Sequence, residues 1–316
     1  MYKSFKRALP IIVIVSLQSS LYGGTLPKEA RSRSAMPLLE SAKAVKTITP
    51  LEQMIREKQE LLRKRRKSDV KKYTSIYDEI ASLIILKNRR LIETGRSDDI
   101  DSDKTCDFAL SYGEVEFIKT RYCKTPFDER VAETLKNSAI LYEQCHPPMA
   151  ERYWHSFLKI KEHIYSNESA EAAKAHDLLG DYYRLFMNDF EKAIIEYDQA
   201  KKIRERLYGA DDIRVTENSG RLALSLYYHG DRNKRAEKLL MESVRLREIS
   251  PRNPDLPLYR AYMDIGNYDA LKGNDTGRIE YYKKAKKSFT GDRKSDYETI
   301  LEELSTPSSH QPQIPK

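Results

Sequence analysis

A similar pattern of fifteen residues occurs three times in this chain, each copy 43 residues after the previous one. The copies begin at residues 158, 201 and 244 and read LKIKEHIYSNESAEA, KKIRERLYGADDIRV and VRLREISPRNPDLPL. An aliphatic residue aligns at the third position and a glutamate at the fifth. Self-similarity at such a period is the signature of proteins built as arrays of similar units, each contacting mainly its neighbours. The period therefore constrains the architecture more than any local motif does.

The composition indicates that the repeated unit is helical. Of the 316 residues, 40% are hydrophobic, 33% are charged and only 12 are glycine. Such a chain is typical of a helix-rich soluble protein, and its length suits one elongated domain or two compact ones. We therefore predict an all-α fold.

Small residues recur in the first helix of each unit, at Ala139, Gly180, Ala223 and Gly266, with spacings of 41, 43 and 43. The second helix of each unit carries a trio in which a large residue follows a small or polar one by four positions. Small residues allow two antiparallel helices to approach closely, while a large side chain fills the space beside them. One such pair cannot bury its apolar face alone, so stacked pairs are expected to form a solenoid. The trios are Ala150, Trp154 and Phe157; Ala193, Tyr197 and Ala200; Ala236, Leu240 and Ser243; and Arg278, Tyr282 and Ala285.

Three passages resemble tetratricopeptide (TPR) repeats: LLGDYY (178–183), NDFEKAIIEYDQA (188–200) and IGNYDALKGND followed by IEYYKKA. The long period, with KIRERLYGADDIRVTENSGRLALSLYYHG after the second helix, is similar to the repeats of kinesin light chains. The resemblance implies a right-handed superhelical solenoid of antiparallel helix pairs, with about four repeats over residues 104–290. It departs from the family pattern at Arg278, which replaces an alanine, and by an extra residue in the turns of the second and third repeats.

The family resemblance also implies a binding groove. By analogy, the positions three before, one after and four after each small residue face it, which includes Gly220 and Ala270. The mixed charges favour an extended or helical peptide of mixed polarity, so a protein- or peptide-binding scaffold or adaptor is the predicted function. Alternatively, this face packs against the protein's own amino-terminal helices. The predicted partner-binding residues are Lys136, Ile140, Glu143, Asp177, Asp181, Arg184, Leu224, Tyr227, Met263 and Asn267.

Residues 1–24 read as a secretory signal. Three cations precede an apolar stretch of about ten residues, too short to span a bilayer as a helix. We therefore expect export to the periplasm or the extracellular space; an uncleaved signal that anchors the chain in the membrane is the alternative. Residues 25–50 are polar and contain three prolines, as expected of a linker.

Residues 51–95 have apolar residues at helical spacing, in one long helix or two. If they form a coiled coil as in kinesin light chains, the chain is a self-associating structural component, which is the second candidate function. Within this segment RKRRK (63–67) is a solvated helix face or a site for anionic lipid. No base-stacking or base-reading element accompanies it, so nucleic acid is not an expected partner.

Two further patterns carry no predicted chemistry. Asp99, Asp101 and Asp103 match the first, third and fifth positions of a calcium loop, but Lys104 and Leu110 stand where that loop needs Gly and Glu. The acidic turn is instead expected to be solvated, with Asp103 or Thr105 capping the next helix. The six histidines are scattered and no phosphate loop or catalytic motif occurs, so neither an enzyme nor a cofactor or metal site is expected.

The carboxyl-terminal region divides into a helix and a tail. Residues 291–305 carry Ser295 and Glu298 at capping-box spacing. Tyr297, Ile300, Leu301 and Leu304 form an apolar stripe, which predicts a capping helix. Residues 306–316 are too polar and proline-rich to fold.

Three cysteines, Cys106, Cys123 and Cys145, raise the question of a disulfide in an exported chain. If residues 106–122 and 131–145 form antiparallel helices, Cys106 lies beside Cys145, whereas Cys123 lies about 25 Å away. A disulfide needs alpha carbons within about 7 Å. Cys106 with Cys145 is therefore the predicted pair if a bond exists, and three free thiols are the alternative.

Overall fold

The computed structural model describes residues 48–64, 70–94, 96–109, 112, 128–143, 145–230, 234–249, 256–289, 298, 301 and 304. Helices dominate these residues, and no strand occurs among them, which confirms the predicted all-α fold. The described residues divide into two compact units, one ending at Asn167 and the other beginning at Glu168. Within the described parts of the chain, no helix is both long and apolar enough to cross a membrane.

Within its described residues, the first unit has four full helices and a helical stretch at 102–109. The described residues of the second unit up to Phe289 form three helix pairs, whose partners run antiparallel. The helices of the first unit are α1 (Ile48–Lys64), α2 (Val70–Glu93), α3 (Glu129–Tyr142) and α4 (Pro147–Tyr165). Those of the second are α5 (Ala170–Tyr182), α6 (Phe190–Tyr208), α7 (Ser219–Tyr228), α8 (Arg235–Ile249), α9 (Leu258–Leu271) and α10 (Asp275–Ser288).

The ends of the helices explain the recurring fifteen-residue stretch. Its copies cover the last part of α4, α6 and α8 and the connection that follows, and the first and third copies reach the start of the next helix. In the middle copy α6 stops at Gly209, which has a positive φ of 87° that an L side chain rarely adopts. The next helical turn begins after Asp212, whose side chain accepts a hydrogen bond from the Arg214 amide.

The close packing predicted between the two helices of a repeat is present in the two repeats whose small residue is a glycine. A Cβ atom added to Gly180 would lie 2.8 Å from the Tyr197 ring, and one added to Gly266 would lie 2.8 Å from the Tyr282 ring. Both tyrosines are fully buried. In both repeats the small residue of the first helix therefore leaves space for the large residue of the second helix, as predicted.

The extra residue in the turn of the second repeat is accommodated by a π-helical turn. Helix α5 continues directly into Tyr183–Met187, whose wider turn takes up one more residue than an α-helical turn. Asn188 then adopts the left-handed conformation and ends the segment. Part of the equivalent turn of the third repeat, residues 231–233, lies outside the described residues.

The described part of residues 51–95 lies in two helices, α1 and α2, and many of their apolar side chains are buried against the rest of this chain. Leu51, Ile80 and Leu91 are almost completely buried. Asp78 of α2 accepts hydrogen bonds from the Tyr112 hydroxyl (2.7 Å) and from the Thr134 hydroxyl of α3 (3.3 Å). Among the described side chains of this segment, Leu61 is the large apolar one that is exposed, at 44%.

Two predicted boundaries in the first unit need correction. The linker predicted to end at residue 50 ends earlier, because α1 begins at Ile48; Pro50 is tolerated in a first turn, whose amides have no partner within the helix. The cap of the 102–109 helix is neither Asp103 nor Thr105. The Lys104 amide donates to the Asp101 carboxylate at 2.9 Å, because the helix starts one residue after Asp101.

A disulfide joins Cys106 to Cys145, the pair favoured from the sequence, with alpha carbons 5.5 Å apart. It connects the 102–109 helix to the turn that follows α3. Cys123 lies outside the described residues, as do the predicted signal, the linker up to residue 47, residues 65–67 of the basic run and the tail at 306–316.

The predicted capping helix is described only at three positions. Residues 298, 301 and 304 are helical, and Leu304 packs against the core formed by Tyr259, Met263, Tyr282 and Ala285 of the last repeat. Ser295, Tyr297 and Ile300 lie outside the described residues.

Candidate partner-binding site

The predicted groove residues of the second repeat are buried. Asp177, Asp181 and Arg184 of the α5 segment have exposures of 3%, 2% and 5%. They were expected on an open face, because the family analogy places these positions in the groove. In this chain they form a charged network with residues from α6 and α7.

Asp177 binds side chains on two sides. One carboxylate oxygen accepts from the Arg204 guanidinium of α6 at 2.5 Å, and the other accepts from the Asn218 amide at 2.7 Å. Asn218, just before α7, also donates to the Tyr197 carbonyl at 2.8 Å. Arg204 makes a second ion pair, at 2.8 Å, with Glu217. The network thus links the second repeat to the entrance of the third.

Asp181 is the second centre of the network. It accepts from the Tyr197 hydroxyl (2.5 Å), from Arg184 (3.3 Å) and, on its other oxygen, from Arg221 of α7 (2.5 Å). Arg184 also donates to the Tyr197 oxygen at 3.1 Å. A buried carboxylate needs such partners, because an unpaired buried charge is very costly.

The network shifts the pKa values of Asp177 and Tyr197 in opposite directions. Burial alone would raise the pKa of Asp177, but the charges of Arg204 and Arg221 outweigh it, so the pKa lies below its usual value. Burial and the Asp181 charge raise the pKa of Tyr197 well above its usual value. Tyr197 therefore stays protonated and donates its hydroxyl proton to Asp181.

In the third repeat, the arginine equivalent to Arg204 has different hydrogen-bond partners. Arg247 lies 43 positions after Arg204, but the residue equivalent to Asp177 is Gly220. Arg247 instead donates to the Thr216 carbonyl at 2.9 Å and to the Pro257 carbonyl at 3.3 Å. The Asp264 carboxyl of α9 occupies the space beside Gly220, where an added Cβ would lie 2.4 Å from it. Burial raises the pKa of Asp264 despite the nearby arginines.

In the first unit the predicted residues differ in exposure. Glu143 is buried and accepts a hydrogen bond from the Trp154 indole at 3.1 Å, so it faces the interior rather than a groove. Lys136 is partly exposed and pairs with Glu133 at 2.7 Å. Ile140 is also partly exposed.

In the last two repeats, Leu224 and Met263 are buried, whereas Tyr227 and Asn267 are half-buried. The Tyr227 hydroxyl donates to the Leu271 carbonyl of α9 at 2.6 Å. The side-chain amide oxygen of Asn267 accepts from the Tyr282 hydroxyl at 2.6 Å. Of the ten predicted residues, only Lys136, Ile140, Tyr227 and Asn267 therefore present partly exposed side chains.

Sequence reasoning missed Arg204, Asn218 and Arg221 as partners of the predicted aspartates. A signal was present, because the fourth position of the recurring stretch holds a cation in all three copies: Lys161, Arg204 and Arg247. In the first unit its equivalent, Lys161, forms an ion pair with Glu129 at the start of α3.

The described residues contain no cluster of three or more His, Cys, Asp or Glu side chains able to hold a metal ion. The arrangement offers hydrogen-bonding and aromatic groups on a framework held by ion pairs.

No protein-family model matches the sequence, and no curated protein sequence does either. A solved structure of similar fold is BtubC (BKLC) from P. vanneervenii, a kinesin-light-chain-like TPR-containing protein. The TM-score is 0.51 and the identity 19%, over 79% of this chain and 90% of the other. This likeness shows the fold alone: the chain has a TPR-like helical repeat fold.

Proposed function

We propose that this chain is a non-enzymatic scaffold or adaptor that binds a protein or peptide on the first helices of its TPR-like repeats. The observation that carries the proposal is the direct bonding between consecutive first helices. Arg221 of α7 binds Asp181 of α5, and Tyr227 of α7 binds the Leu271 carbonyl of α9. A face held rigid in this way loses little conformational entropy when a ligand binds.

Two partly exposed side chains on this face suit recognition of a peptide. Tyr227 supplies a half-buried aromatic ring, which packs edge-on against Tyr268 with centroids 5.8 Å apart. The Asn267 amide nitrogen makes no hydrogen bond within the described residues, so it can donate to a peptide carbonyl of a ligand. Arg184 is an unsuitable target for a test, because it lies inside the ion network.

The proposal includes export to the periplasm or cell surface. It rests on the signal-like residues 1–24 and agrees with the disulfide, since such bonds persist in oxidising compartments. Sequencing the amino terminus of protein from the native envelope fraction tests it. A chain that begins near residue 25 supports export with cleavage, whereas a membrane-bound chain that begins at Met1 supports the anchored alternative.

Affinity capture from the same fraction tests the binding face. The full chain is compared with a Tyr227→Ala, Asn267→Ala variant and with a control, Lys202→Ala, Lys238→Ala, whose exposed residues lie on second helices. At least one protein should be captured by the full chain and the control and lost with the Tyr227, Asn267 variant. Equal capture by all three would refute binding at this face.

A further inference from the structure

The end of α10 carries the densest group of exposed cations among the described helices of the second unit. Lys283, Lys284, Lys286 and Lys287 occupy four of its last six positions, and all are exposed. At 100° per residue they span an arc of roughly 160°, opposite the buried Tyr282 and Ala285. We call this set of four residues the lysine face.

Two exposed arginines on the second helices of the earlier repeats pair with acidic residues of the same unit. Arg206 of α6 pairs with Glu168, and Arg245 of α8 pairs with Asp211 at 2.8 Å. On the lysine face only Lys284 has such a partner, Glu280 at 2.7 Å. Within the part of the chain that the structure describes, the other three lysines make no ion pair.

A favourable interaction with the helix dipole explains only part of this charge. The dipole favours cations in the last turn and its influence fades beyond it, while Lys283 lies more than one turn from the end of α10. Concentrating like charges on one face also costs repulsion energy. An external anionic partner would offset that repulsion.

The residue type distinguishes between classes of partner. Lysine is depleted at protein–protein interfaces, where arginine and aromatic residues are enriched. Its ammonium is a strongly hydrated point charge on a flexible stem, which suits a diffuse anionic surface rather than a shaped site. Proteins that bind single-stranded nucleic acid combine a basic groove with exposed stacking rings, whereas α10 has one half-buried ring beside these lysines, Tyr281, covered by Lys284 at 4.6 Å. Clusters of four or more lysines on a helix are typical of contacts with acidic lipids.

We propose that the lysine face binds the anionic headgroups of a lipid bilayer surface. This is independent of the peptide-binding function, because the face lies on a second helix and contains none of the predicted groove residues. The net charge of +8 favours the approach of the whole chain to such a surface. The contact is purely electrostatic and therefore depends strongly on salt.

Co-sedimentation of the full chain with vesicles tests the proposal. Vesicles of phosphatidylcholine with about 30% phosphatidylglycerol are compared with vesicles of phosphatidylcholine alone, to which only insertion of the apolar residues near the amino terminus would bind the chain. The chain should bind the anionic vesicles more strongly and lose the difference in about 0.5 M salt. Replacing Lys283, Lys286 and Lys287 with Gln should weaken anionic binding by about a hundredfold, at roughly fivefold per lysine.

The matched control removes the same charge elsewhere in the second unit. Lys174, Lys202 and Lys238 are exposed but scattered over three helices, and their replacement with Gln should change binding by less than about twofold. Equal losses in the two triple variants, or no loss in either, would overturn the lysine face as a site. Binding of a duplex oligonucleotide or an oligoglutamate peptide that exceeds vesicle binding and is lost with the first variant would overturn the lipid assignment. Thermal unfolding of each variant shows that the fold is retained.

Discussion

Asp177 shows what a single buried charge contributes to this fold. It is 3% exposed and binds Arg204, which is equally buried, so removing its charge leaves a guanidinium without its closest counterion. We predict that Asp177→Asn lowers the free energy of unfolding by about 3 to 5 kcal/mol, as expected when one partner of a buried pair is lost. Urea unfolding followed by circular dichroism measures the change.

A surface aspartate provides the control for that substitution. Asp198 pairs with Arg235, whose side chain is 43% exposed, so Asp198→Asn should cost less than about 1 kcal/mol. If the two variants unfold at the same urea concentration, the buried pair contributes no more than an exposed one, and our description of the network is wrong.

The depressed pKa of Asp177 predicts how stability depends on pH. A carboxyl whose pKa is lower in the folded than in the unfolded chain adds stability above the unfolded value of about 3.9. That stability is lost as the pH falls through the folded pKa. The difference in unfolding free energy between the wild type and Asp177→Asn should therefore be constant from about pH 7 to 5 and shrink below about pH 4. A difference that grows on acidification would contradict the assigned direction.

Pairs of helices depend on the contact between a small residue and a large one. Gly180 of α5 lies against the fully buried Tyr197 ring of α6, whose hydroxyl is held by Asp181. We predict that Gly180→Leu lowers the free energy of unfolding by about 1 to 3 kcal/mol, because the ring cannot move without breaking that bond. Differential scanning calorimetry measures the shift in melting temperature.

Lys174→Leu places the same side chain on an exposed position of the same helix. It should leave the melting temperature almost unchanged, since surface substitutions away from special features change stability by about 0.5 kcal/mol or less. Equal melting temperatures for the wild type and Gly180→Leu would show that α5 and α6 pack in another register.

On the scale of the whole molecule, the disulfide acts within one unit. Cys106 and Cys145 both belong to the first unit and are 39 residues apart. Closing a loop of this length stabilises the folded state by about 4 kcal/mol in the chain-entropy model. We predict that Cys106→Ser, Cys145→Ser increases hydrogen exchange in the 102–109 helix and in α3, and leaves exchange in α9 and α10 unchanged.

Cys123→Ser is the control for the cysteine substitutions, because it leaves the Cys106–Cys145 bond in place. Its exchange should match that of the wild type throughout both units. Increased exchange in α9 and α10 of the double variant would mean that the two units unfold together rather than separately.

The sequence by itself determined the class of fold and the pairing of helices. Gly180 with Tyr197 and Gly266 with Tyr282 lie 17 and 16 residues apart, and such packing is encoded within a single repeat. The start of α1 at Ile48 was missed, because a proline within the first turn looks like a helix breaker in sequence alone.

Only the tertiary structure decided which predicted groove residues remain accessible. Asp181 is buried because Arg221, 40 positions later, reaches it from the next first helix. The equivalent of Asp177 in the third repeat is Gly220, where Asp264 of the following repeat fills the space. Each outcome depends on residues of a neighbouring repeat. A position that points inward therefore becomes either a binding surface or a buried ion pair according to how successive repeats pack, which the periodicity of one repeat does not specify.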